Sequence, residues 1–227
     1  MKLPIRLNAL LEMIQRPYEH IWDCCCDHGY LGRAILTRDC SAVVHFLDVV
    51  APIILKLEQD LISSGADASS WQTHVEDLMH LSLPKTDNKQ LLIIAGVGGD
   101  LTVELVSAVL RNNPEAKLEF LLCPVRQLNK VRVEMDHLGL GLVAERLVKD
   151  AGRYYELIHI STNEPKRISP VGEQMWDLAE ADHQEYLLQN IQHYQRMKGQ
   201  QSSVAASAAL AAYVAIKHKG LPWQPLN

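Results

Sequence analysis

The chain has 227 residues, of which 48% are apolar and 22% charged. This composition is sufficient for one α/β domain with a small appendage and excludes an intrinsically disordered chain. The net charge of −5 is not typical of a general nucleic-acid binder, and no apolar run reaches the roughly 20 residues of a membrane span. The N-terminal segment, interrupted by Arg6, Asn8 and Glu12, predicts an amphipathic helix rather than a signal peptide, so we expect a cytoplasmic protein.

The charge is unevenly distributed along the chain. Residues 1–110 contain 8 basic and 14 acidic side chains, whereas residues 111–167 contain 10 basic and 8 acidic ones. A basic excess of this size fits a surface that attracts phosphate groups, and it fits an ordinary mixed-charge surface equally well.

Apolar runs of strand length alternate with helical patterns after the N-terminal helix. The predicted strands are Ile21–Cys25, Ala42–Leu47, Gln72–Val75, Leu91–Val97 and Leu118–Cys123. The predicted helices that follow them are Leu31–Arg38, Pro52–Ser63, Leu101–Arg111 and Gln127–Leu138. Nearly continuous apolar strands separated by helices predict a parallel, doubly wound sheet.

Two further strands are predicted at Gly141–Lys149 and Tyr154–Ser161, with only four residues between them. So short a connection cannot contain a crossover helix, and the two strands must therefore pair in antiparallel fashion. Five parallel units followed by an antiparallel terminal hairpin form the Rossmann-like sheet of class I methyltransferases. We therefore predict this α/β fold.

The remaining sequence predicts a second, helical unit. A stretch with Pro and Gly at Glu164–Gly172 is interpreted as a linker, which divides the chain into domains at 1–163 and 164–227. Apolar residues at helical spacing from Trp176 to Met197 predict one long helix, Gly199–Ser203 a turn, and Val204–Ile216 an Ala-rich helix. We expect the two helices to form an antiparallel, coiled-coil-like hairpin.

Acidic residues follow the first three strands. Asp23 and Asp27 flank the turn after the first strand, Asp48 ends the second, and Asp77 follows the third. The first turn lacks the G-x-G-x-x-G pattern, and Asp27 would repel a pyrophosphate. The methyl donor S-adenosylmethionine has no phosphate and carries a positive sulfonium and a positive amino group, both of which carboxylates attract. We therefore predict S-adenosylmethionine as the cofactor. We interpret Asp48 as the ligand of the cofactor's ribose, while helix capping stays an alternative for Asp27 and Asp77.

A glycine-rich turn leaves the fourth strand. Gly96, Gly98 and Gly99 leave room for a flat ligand against the backbone. The alternative is a tight turn in which Asp100 caps the next helix.

The chain has five cysteines, three of them consecutive at positions 24–26. Consecutive residues cannot supply a tetrahedral metal site, and no C-x-x-C pair is present elsewhere in the sequence. We interpret them as reduced thiols and expect no metal.

The two loops together resemble those of the bacterial tRNA (adenine-22)-N1-methyltransferase family, whose motifs read D-I-G-S-D-H-A-Y-L and I-A-G-M-G-G. This chain has D-C-C-C-D-H-G-Y-L from Asp23 and I-A-G-V-G-G from Ile94. Pro124 with Arg132 resembles the family's fifth-strand exit and following helix, and Tyr155-Glu156 resembles its terminal hairpin. The departures are Cys25 for Gly, Gly29 for Ala, and Cys123-Pro124-Val125 for Q-P-N.

The resemblance implies an S-adenosylmethionine-dependent enzyme that methylates N1 of an adenine in tRNA. The implied cofactor-binding residues are Asp23, Cys25, Gly29, Asp48, Asp77 and Gly96. The implied catalytic residues, which would accept the N6 hydrogen bond or contact the flipped base, are Asp27, His28 and Tyr30. The predicted substrate-binding residues are Gly98, Gly99, Pro124, Arg126, Lys130 and Arg132; the last three are basic side chains after the fifth strand that would contact phosphate rather than bases.

Two other interpretations stay open. The weak basicity and the two polar groups lost at Cys123 and Val125 fit a methyltransferase for a small molecule or a protein. The altered first loop also fits a non-catalytic module that binds the cofactor and acts through its helical hairpin.

Overall fold

The computed structural model describes residues 3–38, 41–200 and 204–219. Its seven strands are β1 (His20–Cys24), β2 (Val43–Asp48), β3 (Trp71–Val75), β4 (Gln90–Ala95), β5 (Leu118–Cys123), β6 (Gly141–Asp150) and β7 (Arg153–Ser161). Its seven α-helices are α1 (Ile5–Met13), α2 (Tyr30–Leu36), α3 (Ala51–Ser63), α4 (Gly99–Asn112), α5 (Leu128–His137), α6 (Ala181–Gln200) and α7 (Val204–Lys219). A short 3-10 helix, Leu78–His80, follows β3.

The strands form one sheet in the order β3-β2-β1-β4-β5-β7-β6. Strands β1 to β5 pair in parallel, whereas β7 pairs antiparallel with both β5 and β6. The predicted fold class is confirmed, including the antiparallel terminal hairpin. The connection, predicted to have four residues, has only two (151–152), and it forces this reversal because it is too short to return the chain to the other end of the sheet.

The sheet is covered on both faces, which explains why β4 and β5 are almost continuously apolar. One face packs on α4 and α5 through a core that includes Leu92, Val106 and Val131. The other face packs on α1, α2 and α3 through a core that includes Leu10, Phe46 and Leu57. Every residue of β5 is buried, including Glu119, whose carboxylate pairs with Arg16, Lys89 and His159.

The predicted helical hairpin is present with shifted boundaries. The helix α6 begins at Ala181, so the prediction that Trp176 and Ala179 belong to it is wrong. The indole of Trp176 instead donates to the carbonyls of Val171 and Gly172, and this closes a turn before the helix starts. Of the predicted turn at positions 199–203, the first two residues belong to α6 and the rest lie outside the described residues.

The segment between β7 and α6 packs on the sheet domain. Ile168, Val171 and Met175 are buried, and the backbone N–H of Leu142 donates to the carbonyl of Lys166 at 2.7 Å. Val171 also belongs to the core of the hairpin, together with Leu187 and Tyr213. The hairpin therefore rests on the sheet domain through a packed segment, while the division of the chain at residue 163 stays a prediction.

Within the described ranges, no helix is both long enough and apolar enough to cross a membrane.

Candidate active site

The loops that follow β1, β2, β4 and β5 meet at the carboxyl edge of the sheet. The strand order reverses between β1 and β4, and ligands of open α/β sheets bind in the crevice at such a point. The turn after β1 and the glycine turn after β4 leave neighbouring parallel strands and therefore flank the expected crevice. The sequence-predicted residues of both turns are thus brought to one place.

The turn after β1 is held in an unusual backbone conformation. Cys25, Asp27 and Gly29 have φ values of 54°, 49° and 65°, all in the left-handed region. The positive φ of Gly29 favours glycine, and a Cβ atom there would lie 2.7 Å from a terminal methyl of Leu57, which would have to move. Asp tolerates the left-handed region better than most residues, which suits Asp27. The turn is formed even though Cys25 stands where the motif of the resembled family has glycine.

Asp48 fixes this turn through its carboxylate. One oxygen accepts the backbone N–H of Asp27 and the other that of Val50, both at 3.1 Å. A carboxylate has about four lone-pair sites, so two remain for a ligand, and Asp48 is partly exposed at the crevice. The sequence indicated the position of Asp48 but not this link between the first two loops, because nothing local connects residues 27 and 48.

Asp23 is the buried acid of the site. Its side chain accepts the backbone N–H of Gly32 at 2.8 Å and thereby ties the end of β1 to α2. Asp23 is only 5% exposed, and this burial raises the pKa of its carboxyl to about 7, with a smaller contribution from the charge of Asp48. With its pKa near neutral pH, this carboxyl group would lose its proton more readily when a cationic ligand binds beside it, because a positive charge favours the ionised form.

The three predicted catalytic residues lie together at the rim of the crevice. Asp27 Oδ1 is 3.6 Å from His28 Nε2, and the rings of His28 and Tyr30 are 5.7 Å apart. The His28 side chain is 58% exposed and Tyr30 is also exposed. The group presents one carboxylate and two aromatic rings to solvent, although its catalytic role stays a prediction.

Asp77 lies farther along the same edge. Its carboxylate accepts the backbone N–H of Met79 at 2.9 Å and so caps the 3-10 helix. The side chain is 47% exposed. The capping interaction does not occupy the whole carboxylate, so the predicted role of Asp77 in cofactor binding stays a prediction.

The glycine turn after β4 combines open space with close packing. Gly96 has a φ of +85°, and no atom lies within 4 Å of where its Cβ would be, so it faces open space. A Cβ on Gly99 would lie 2.7 Å from the carbonyl oxygen of Arg126, and one on Gly98 3.0 Å from Arg126 Nε. Glycines here let the exit of β5 approach the turn and place the Arg126 guanidinium beside it.

The predicted substrate-binding residues after β5 divide into two groups. Arg126 and Lys130 are exposed, and Lys130 forms an ion pair with Asp100 at 2.6 Å. Pro124 is buried at the end of β5. The prediction that Arg132 contacts phosphate is wrong, because its side chain is fully buried.

Arg132 instead joins α5 to the terminal hairpin of the sheet. Its guanidinium donates to Glu145 and Glu156, each at 2.6 Å, and both carboxylates are fully buried. Burial by itself would lower the pKa of Arg132, but the two carboxylates overcome this and raise it. Glu156 also accepts the hydroxyl of Tyr186 at 2.8 Å, which links this cluster to α6.

The described cysteines are free thiols, as expected from their consecutive positions. Burial raises the pKa of Cys25 to about 11, so its thiol is protonated at neutral pH and is a poor metal ligand. No group of three or more His, Cys, Asp or Glu side chains within the described ranges is placed to hold a metal ion.

The strand order, the reversed terminal strand and the acidic crevice together define a class I methyltransferase sheet. Residues 3–158 match the protein family described as "Methyltransferase domain", and the chain belongs to that family. No curated protein sequence is significantly similar to the chain.

Several solved structures share its fold. Sp1610 of Streptococcus pneumoniae, solved in complex with S-adenosyl-L-methionine, superposes with a TM-score of 0.77 at 15% identity over 95% of this chain and 99% of that one. TrmK of M. capricolum, bound to S-adenosyl-homocysteine, gives 0.71 at 15% identity over 96% and 98%. The M1A22 tRNA methyltransferase TrmK of B. subtilis gives 0.67 at 18% identity over 96% and 98%.

A methyltransferase with a different substrate matches a smaller part of the chain. The magnesium protoporphyrin IX methyltransferase ChlM of Synechocystis PCC 6803 gives a TM-score of 0.51 at 14% identity, over 69% of this chain and 76% of that one. The structures that match 95% or more of the chain therefore include a counterpart of its C-terminal hairpin.

Proposed function

We propose that this methyltransferase transfers the methyl group of S-adenosylmethionine to N1 of an adenine in tRNA. The observation that carries the proposal is the extent of the structural match. Structures described as tRNA (m1A22) methyltransferases align over 95% or more of both chains, hairpin included, whereas ChlM aligns over 69% of this chain. The D-x-x-x-D-H-x-Y-L and I-A-G-x-G-G loops, which resemble the same family, flank the expected crevice. A tRNA substrate also agrees with the cytoplasmic location expected from the sequence.

The residues of the crevice fit the cationic cofactor. Asp23 is the buried carboxylate beside the first turn, and Asp48 has lone pairs free for ribose hydroxyls. Gly96 faces open space in which a flat adenosine could lie against the backbone. When bound, S-adenosylmethionine supplies an electrophilic methyl group, and the acids of this crevice match its two positive charges.

The protein's task at the adenine is to position it. Adenine N1 has an accessible lone pair, so no side chain has to remove a proton before the attack. The base must leave its stack, and His28 and Tyr30 are exposed rings on which it can rest. Asp27 can accept the N6 hydrogen, whose acidity rises as positive charge develops on the ring.

The test combines the purified protein with labelled S-adenosylmethionine and unmodified bulk tRNA, followed by digestion to nucleosides. We expect labelled 1-methyladenosine. Label in protein or in a small molecule instead would select another substrate class. Cofactor binding without any transfer, under conditions where an active adenine methyltransferase is turned over in parallel, would indicate a non-catalytic module and overturn the proposal.

A further inference from the structure

A groove lies where the exit of β5 meets the helical hairpin. It encloses about 480 Å³ between the first residues of α5 and the facing sides of α6 and α7. The residues that matter for its chemistry are Arg126 and Lys130 on one wall and His193, Tyr194 and Met197 on the other. None of the predicted cofactor or catalytic residues lines it, so it is distinct from the crevice between β1 and β4.

The hairpin wall of the groove is aromatic. His193 is exposed, and its ring meets that of Tyr194 edge to face at 5.0 Å. Tyr194 is partly buried and stacks on Tyr213 at 5.6 Å. Tyr213 is itself buried, so the ring of Tyr194 is supported from behind and keeps its orientation. Such a platform can stack a flat ring with little further loss of side-chain entropy.

The opposite wall is positively charged. The described lining residues include no Asp or Glu. Lys130 forms an ion pair with Asp100, whose pKa the nearby charge of Arg126 also lowers, but no carboxylate of a described residue lies within ion-pair distance of Arg126 itself. The wall therefore offers one guanidinium without an ion-pair partner opposite the aromatic platform. An aromatic ring joined to an anion is the chemistry that fits both walls.

The groove adjoins the turn after β4, which flanks the proposed reaction site. The Arg126 guanidinium that lines it lies against Gly98, 3.0 Å from where a Cβ of that residue would be. Gly98 belongs to the turn after β4. Arg126 therefore borders both this turn and the groove that contains the His193 platform.

We propose that this groove binds a single unstacked nucleotide of the RNA substrate, next to the adenine that is methylated. Its base stacks on the exposed ring of His193, with the ring of Tyr194 standing at the edge of the base, and its phosphate pairs with Arg126. The proposal rests on the proposed function, because it assumes that the substrate is RNA. It adds a second recognition site that explains how the hairpin and the sheet domain can act on one strand.

The test uses the full chain with two variants, His193→Ala and Arg126→Gln, and the matched control Gln195→Ala, which changes an exposed residue of α6 outside the groove. The probes are a fluorescent hexauridylate and an unmodified tRNA transcript. We expect His193→Ala to weaken hexauridylate binding about tenfold, the effect of losing one stacked base. We expect Arg126→Gln to reduce the slope of log affinity against log salt by about 1.

Photocrosslinking locates the bound strand. A hexauridylate containing 4-thiouridine should crosslink to the peptide that contains His193 and Met197 in the wild type. In tRNA methylation the two variants should raise KM for tRNA about tenfold, with the dissociation constant of S-adenosylmethionine within about twofold of wild type. Gln195→Ala should match the wild type throughout.

The outcomes separate the two proposals. If tRNA is methylated but both variants bind and react like the control, the groove proposal is overturned and the proposed function stands. If no tRNA is methylated but the variants weaken hexauridylate binding as expected, the groove stands as an RNA-binding site, while its place next to a methylated adenine and the proposed function both fail. A wild type that does not bind hexauridylate, or one that forms a dimer which His193→Ala dissociates, would overturn the groove as an RNA site.

Discussion

The two halves of the sheet use carboxylates in opposite ways. At the ends of β1 and β2, Asp23 and Asp48 accept backbone N–H groups that shape the first turn, and no basic side chain of a described residue forms an ion pair with either. On β6 and β7, Glu145 and Glu156 are buried against Arg132, which donates to both. The first half leaves negative charge uncompensated beside a crevice, and the second half compensates it inside the protein.

The role of a carboxylate in this protein therefore depends on whether a basic side chain pairs with it, and not on whether the residue is Asp or Glu. Uncompensated carboxylates attract a cation, and the raised pKa of Asp23 reflects the unfavourable energy of a buried charge without a partner. The paired carboxylates of the Arg132 cluster are unavailable to any ligand. Substitutions at these residues, and a change of pH, test whether the two sets of carboxylates have these different roles.

The largest effect is expected from Arg132→Met. This change leaves the carboxylates of Glu145 and Glu156 buried without their cation, which should lower the free energy of unfolding by about 3–5 kcal/mol. Urea denaturation monitored by circular dichroism measures it. Arg146→Met is the control, because its ion pair with Glu12 is exposed and should contribute little. Equal midpoints for the two variants would show that the buried cluster does not stabilise the fold.

The next effect is expected from Asp23→Asn. The neutral amide keeps an acceptor for the Gly32 N–H but removes the charge, so S-adenosylmethionine binding should weaken at least about 100-fold. Isothermal titration calorimetry measures this, and wild-type affinity would exclude Asp23 from cofactor binding.

The same variant also tests the stability of the fold, which the substitution should not lower although it weakens cofactor binding. The folded protein holds a proton on Asp23 up to about pH 7, whereas the unfolded chain releases it near the ordinary pKa of 3.8. Wild-type stability from this group therefore falls as the pH rises from about 4 to 7, and Asp23→Asn avoids that loss. At about pH 8, above both pKa values, we expect the variant to have a denaturation midpoint no lower than that of the wild type.

A smaller effect is expected from Asp27→Asn, a change that keeps a residue able to adopt the left-handed conformation. The loss of a charged acceptor for N6 should lower kcat about 10- to 100-fold. The dissociation constant of S-adenosylmethionine should stay within a few-fold. Single-turnover kinetics on tRNA measures the step, and an unchanged rate would remove Asp27 from the chemistry.

The smallest effect is a pH dependence of cofactor binding. A cation favours ionised Asp23, and the free protein protonates this group below about pH 7, the raised pKa of its carboxyl. The dissociation constant of S-adenosylmethionine should therefore rise roughly tenfold between about pH 7.5 and about pH 6, with proton release on binding at the lower pH. Calorimetry in two buffers of different ionisation enthalpy measures both quantities. A constant affinity without proton release would contradict the role given to Asp23.

The candidate site was predictable in part. The acids after β1 and β2 and the glycines after β4 stand out because each follows a buried strand, and parallel strands bring their carboxyl ends to one edge. Arg132 was wrongly placed on the surface, since an arginine within a mixed-charge helix gives no local sign of burial. The groove around His193 and Tyr194 was missed, because these residues face Arg126 only after the hairpin folds back on the sheet domain.

The sequence was sufficient to predict the strands, their alternation with helices, the antiparallel terminal hairpin and the two loops of the crevice. These follow from hydrophobic periodicity and from the lengths of connections, which are local properties of the chain. The tertiary structure alone decided which charges are compensated: Asp48 reaches the backbone of Asp27, and Arg132 reaches two glutamates. The physical reason is that burial and ion pairing depend on distances between residues far apart in sequence, and only the packed fold sets those distances.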